Sequence, residues 1–173
     1  HSPGRLVPTI RSRCQTVKLE PLEPELLQEL LSRLGADLPQ GADERRLLIE
    51  QASGSVRDAI LMTQFGGLEI AQVIGRISAA PRFDVAQAHK LADAATGRDR
   101  QVQFELFNRT VLDRIAEAAS KAAASGAAGR AARFASLWEE MAESIRQTEI
   151  FNLDRRQHVL GLLTRLHQAV QSA

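Results

Sequence analysis

Apolar residues recur at intervals of three and four over almost the whole chain, a spacing that predicts helices and little else. Leu26, Leu27, Leu30, Leu31 and Leu34 form one stripe, closed by Gly35. Asp43 is a good N-cap for a second helix to about Ala52 that buries Leu47 and Leu48, and Gly54 closes it. Ser55 caps a third helix, in which Val56, Ala59 and Ile60 share a face. Asp58 stands where a capping box prefers Glu or Gln. A fourth helix from Gly67 to Ser78 buries Ile70, Val73, Ile74 and Ile77. The alternation in Gln15-Thr16-Val17-Lys18-Leu19 makes the only plausible strand, and Pro21 and Pro24 break the chain after it.

Ala79-Ala80-Pro81 reads as a boundary between two helical units, beyond which the helices lengthen. One is expected from Phe83 to Ala95, with Val85, Ala88, Leu91, Ala92 and Ala95 inward. The next is expected from Arg100 to Ala124, with Phe104, Phe107, Val111, Ile115, Ala118 and Ala122 on one face. Residues 125–129 read as a small, flexible loop. Phe134, Leu137, Trp138, Met141 and Ile145 mark the following helix, with Phe134 and Trp138 as core or subunit-interface anchors. Asp154 and Gln157 form a capping pair for the last helix, which buries Val159, Leu163, Leu166 and Val170. The expectation is an all-α chain, with a small helical unit over 21–78 and a larger helical bundle over 79–173.

Composition excludes several function classes. Charged residues are 25% of the 173 and nearly cancel, to a net charge of +1, so the chain has no global electrostatic footprint for nucleic acid. The single cysteine, Cys14, rules out an internal disulfide or a multi-cysteine zinc site and suits a small buried apolar residue. His1, His89, His158 and His167 lack zinc spacing, and solvated side chains are expected for them. Arg155 and Arg156, with Arg165, read as a charge cluster on a helix surface. There is no secretory signal and no apolar run of about eighteen residues, so a soluble, cytoplasmic protein without membrane contact is expected. His1-Ser2-Pro3-Gly4 carries no initiator methionine, as expected for the back part of a longer protein.

Two motifs carry chemistry. In Ser12-Arg13-Cys14, an arginine on a turn ahead of a strand can reach a neighbouring subunit's phosphate site, because its planar fork stays charged and matches phosphoryl oxygens. Taken alone, such a triplet more often marks a surface ion-pair partner. About forty residues later, Gly54-Ser55-Val56-Arg57-Asp58-Ala59 opens the third helix. Together the two motifs resemble the AAA+ subunits of DNA-polymerase clamp loaders. Among these the chain looks most like the delta-prime type of bacterial DNA polymerase III, through its lead-in over 1–11 and Leu153-Asp154-Arg155-Arg156-Gln157. Gamma/tau-type subunits are the nearest rivals, but Met62-Thr63-Gln64-Phe65 departs from their usual continuation.

The resemblance implies an end of an AAA+ core over 1–20, a helical lid over 21–78 and a collar domain over 79–173 that joins subunits into a ring. It implies that Arg13 acts as an arginine finger in trans on ATP held next door, with Ser12 shaping the turn and Cys14 packing behind it. Arg57 matches a lid position that senses nucleotide in ATP-binding relatives. No phosphate loop of the Gly-x-x-x-x-Gly-Lys-Ser/Thr kind occurs, so no cofactor is expected in the chain itself and no turnover by it alone. The implied partners are gamma/tau and delta subunits, the sliding clamp and, through the assembled complex, primer-template DNA. A helical DNA-binding regulator is the alternative of a different class, disfavoured by the absence of a basic recognition helix.

Overall fold

In a computed structural model, residues 19–172 are described, with Thr9, Arg13 and Val17 as isolated positions before them. Eight helices follow one another: α1 (Pro24–Arg33), α2 (Ala42–Ala52), α3 (Val56–Gln64), α4 (Gly67–Ala79), α5 (Val85–Thr96), α6 (Gln101–Ala124), α7 (Ala128–Ile150) and α8 (Arg155–Gln171). No strand occurs among the described residues. Of the strand expected over 15–19, positions 15, 16 and 18 lie outside them, while Val17 and Leu19 are exposed and irregular. A single strand without a ladder partner has nowhere to place its backbone hydrogen bonds.

Helix starts follow from side-chain chemistry. Ser55 Oγ accepts the Asp58 amide at 3.2 Å, Asp84 Oδ1 that of Gln87 at 2.9 Å, and Asp154 Oδ1 that of Gln157 at 2.9 Å. Asp43 is not a cap: Gly41 precedes α2, and Asp43 sits in its first turn, 3.5 Å from Arg46. Likewise α5 begins at Val85, which is exposed, because Asp84 holds the cap and leaves Phe83 outside. The loop expected over 125–129 is shorter. The amides of Gly126 and Ala127 return to the carbonyls of Ala123 and Ala122, a Schellman closure that lets α7 start at Ala128.

One buried cluster runs from Leu27 to Leu166 and crosses the helix break at 79–81. In α1 only Leu27 and Leu31 are fully buried. Leu26 and Leu34 face outward, because α1 packs on α2 and α3 along one narrow edge. The long helices α6 and α7 form an antiparallel hairpin, roughly 35 Å long at the usual rise. Within it α7 buries Phe134, Met141 and Thr148, at seven-residue intervals, and exposes most of its remaining surface. Trp138 lies off that seam and is 40% exposed, so it is no part of the core.

Helix α4 is the shared element. Its buried residues, from Leu68 and Ile70 to Ile77 and Ser78, cover about half of its circumference, and it packs on α3 on one side and on α6 and α8 on the other. Its C-terminal carbonyls, which have no partner within the helix, are met by α8: His167 Nδ1 donates to Ile77 O at 3.0 Å, and Gln171 Nε2 donates to Ala80 O at 3.0 Å. Phe83 meets the His167 ring edge-on, with centroids 5.5 Å apart.

The expected solvation of His158 and His167 is therefore wrong: both are buried. His158 Nδ1 lies 3.0 Å from Thr148 Oγ1, whose hydroxyl donates to Ser144 O at 2.9 Å, and His158 Nε2 lies 3.1 Å from Asn108 Oδ1. Asn108 Nδ2 is buried without a partner in that orientation. Rotating the amide by half a turn lets Nδ2 donate to Nε2 while Nδ1–H donates to Thr148, which leaves none of these donors unpaired. Burial pushes His158 down to about 4 from its ordinary 6.5.

A histidine with a depressed folded pKa favours the folded state above its unfolded pKa and weakens it as pH falls toward the folded value. Lowering the pH from 6.5 to 4 should therefore cost on the order of 2–3 kcal/mol through His158 alone. In His158→Gln, which does not titrate, that component of the fall in melting temperature should vanish. Thermal melts of both proteins across this range make the comparison, and identical slopes would remove His158 as the source.

Candidate functional site

Of the two sequence motifs, the second is described in full and the first only at Arg13. Arg13 lies exposed in a turn, whereas Ser12 and Cys14 lie outside the described residues. Downstream, the chain is tied directly to the second motif, as the Leu22 amide donates to Gly54 O at 3.1 Å. Gly54 has φ +77°, and a Cβ there would stand 2.5 Å from Leu22 N and 2.6 Å from Pro21 Cβ. Only glycine fits both that backbone and that approach. The motif glycine thus joins the segment following Arg13 to the start of α3.

Arg57 occupies the first turn of α3, 76% exposed along its side chain, with Nη1 3.6 Å from Asp58 Oδ1. Asp58 has a closer partner in Arg109 of α6, at 2.6 Å. The aspartate is too short to close a capping box back onto Ser55, and its carboxylate crosses to α6 instead. Arg57 is left with a loose contact and its guanidinium in solvent.

Several functional-looking side chains are absorbed by structure. Arg156 Nε donates to Asp93 at 2.6 Å and its Nη2 to His89 Nδ1 at 2.9 Å, joining α8 to α5. The Arg156 hydrogen bond holds the Asp93 carboxyl below the usual carboxylate range. Arg155 lies over the Phe104 ring at 4.8 Å, and Arg165 pairs with Glu140 of α7. The expected surface charge cluster on α8 is thus a set of ties to its neighbours. Sequence spacing missed Arg114. Its guanidinium packs over Gly75 of α4, where a Cβ would meet Nη2 at 2.6 Å; its Nε is buried without a partner, and burial lowers its pKa. A glycine on the inward half of α4, among its buried apolar residues, was the one available signal.

No group of three or more His, Cys, Asp or Glu able to hold a metal occurs among the described residues. Among them, no helix is long and apolar enough to cross a membrane. No protein-family model, curated protein or solved structure matches the chain.

Replacing Gly54 by alanine should destabilise the chain by about 2–4 kcal/mol, through the strained φ and the collision with backbone together. Urea titration measures it, and a loss under about 0.5 kcal/mol would show that the 21–22 segment moves away freely.

Proposed function

We infer that this chain is the lid and collar portion of a clamp-loader subunit of the delta-prime type, working in the cytoplasm within a DNA polymerase III holoenzyme. The observation that carries the reading is the anchoring on the second motif of the chain that follows Arg13. An exposed Arg13 stands nine residues ahead of Leu22, whose amide is anchored on Gly54 of the second motif. Seven of the nine large exposed apolar side chains among the described residues give further support, because they gather in two stretches, with Val85 and Trp138 apart from both. Val17, Leu19, Leu26 and Leu34 lie where an AAA+ core would cover them, and Ile150, Phe151 and Leu153 lie at the α7–α8 turn, where sister collar domains would.

The mechanism is assembly and control. The chain holds no triphosphate itself; gamma/tau subunits bind the ATP, and Arg13 stabilises charge spread over the γ-phosphoryl oxygens at the junction with one of them. Delta and gamma/tau subunits pack against the α6–α8 bundle, and hydrolysis next door releases the sliding clamp on primer-template DNA. Ser12 and Cys14 support the turn. Arg57 remains as a lid cation free to meet either a phosphate or the core.

A gamma/tau-type subunit is the second reading. It is favoured by the exposure of Arg57, whose guanidinium stands in solvent where a nucleotide-sensing arginine would need to be. A DNA-binding regulator draws no support, because Arg33, Arg46 and Arg146 are engaged by carboxylates one helical turn away.

The test uses the full-length protein reconstituted with gamma/tau and delta subunits. Arg13→Ala should leave assembly intact and lower clamp- and DNA-stimulated ATPase by about tenfold or more. Unchanged turnover in an assembled complex would sink the finger role. Failure of the wild-type protein to assemble would remove the family reading altogether.

A further inference from the structure

A cleft of about 510 Å³ opens between α4, α5 and the first turn of α6, and Arg57 does not line it. Its floor is apolar, formed by Phe65, Ile70, Val73 and Leu91. Its rim carries three cations, Arg76, Lys90 and Arg100, against a single carboxylate, Glu69. None of these four is paired with an opposite charge among the described residues, although carboxylates engage arginines on six helices. Exposed cations left unpaired around an apolar floor form a surface complementary to an anionic, apolar-bearing partner.

A second observation narrows the partner. Gln103, only 9% exposed, lines the cleft and makes no side-chain hydrogen bond, and the side chain of Gln87 on the opposite wall makes none either. A carboxamide offers a donor and an acceptor side by side, the pair presented by a peptide unit of an extended chain. A helix keeps its backbone groups to itself and would leave both amides unused. Along α4 the cleft runs from Gly67 to Arg76, roughly 14 Å at the helical rise, the length of about four extended residues, and Phe65 extends it beyond the start of the helix.

We propose that this cleft binds an extended acidic peptide segment of a partner protein. The alternate side chains of such a segment enter over Phe65, Val73 and Leu91, and its carboxylates meet Arg76, Lys90 and Arg100. Gln87 and Gln103 hold its backbone. This goes beyond the clamp-loader reading and does not depend on Arg13.

The probes are three fluorescein-labelled nonapeptides, read by fluorescence anisotropy on the full chain: Gly-Ser-Asp-Leu-Asp-Phe-Glu-Ser-Gly, the same peptide with lysine at each acidic position, and the same peptide with serine at Leu and Phe. The acidic apolar peptide should saturate below about 1 mM, and the other two should bind at least tenfold more weakly. Lys90→Glu with Arg100→Glu, both exposed and so harmless to folding, should weaken the acidic peptide about tenfold or more. Gln103→Leu, which keeps the side-chain volume, should weaken it about fivefold with an unchanged melting temperature. No saturation at 1 mM, equal binding of the lysine peptide, or indifference to the charge reversal overturns the proposal. So does displacement of the acidic peptide by single-stranded DNA with the same dependence on Lys90 and Arg100, which would assign the cleft to nucleic acid.

Discussion

The C-terminal end of α4 holds the molecule together. A helix buried around half its circumference must find partners on two sides, and the carbonyls at its end must be met by donors from elsewhere. Here α8, the last of the described helices, supplies both: its packing against α4, and the His167 and Gln171 donors to Ile77 and Ala80. The break at Ala80-Pro81 therefore ends a helix without ending the core. The α1–α3 side is joined to α6 through the contacts of α4 and, directly, through the Asp58–Arg109 pair.

Helix existence was legible in the sequence because it depends on local periodicity and caps. Ser55, Asp84 and Asp154 all act within three residues of themselves. The expected buried faces of α4, α6 and α8 also hold at Ile74, Phe107 and Leu163, where the apolar stripe and the packed side coincide. The stripe fails where a helix has more apolar width than neighbours to cover it. Leu26 and Leu34 sit on the same stripe as Leu27 and Leu31, and spacing alone does not say how much of that stripe another element reaches.

What spacing could not show is pairing over long separations. His158 meets Asn108 fifty positions away, and His167 meets a carbonyl ninety positions away; neither partner has a signature in a local window. The general expectation for histidine is a partly solvated ring, and it is overridden here because each ring finds hydrogen-bond partners inside the bundle. The candidate site divides in the same way. Arg57 and Gly54 were found through their motif, whereas the close approach of Leu22 that explains the glycine exists only once α3 and the 19–23 segment are packed together. Arg114 was invisible because its companion is the absence of a side chain at Gly75.

A net charge of +1 describes the whole chain and conceals how its charges are used. On α1, α2 and α7 arginines are neutralised within a helical turn, and Arg109, Arg156 and Arg165 are neutralised across helices, where they fix the packing of α3, α5 and α7. Exposed pairs of this kind contribute little to stability one by one, so their main effect is to use up the surface's capacity to attract other charged molecules. The field left over is then governed by the cations outside these pairs or only loosely held in one, with Arg82, Arg98, Arg130 and Arg133 among the first kind. Arg57 stands at the start of α3, and Arg76, Lys90 and Arg100 surround the cleft beside α4. Near-neutral composition is thus compatible with strong local selectivity for anions, and the places where it can act are set by which arginines the fold has left unmatched.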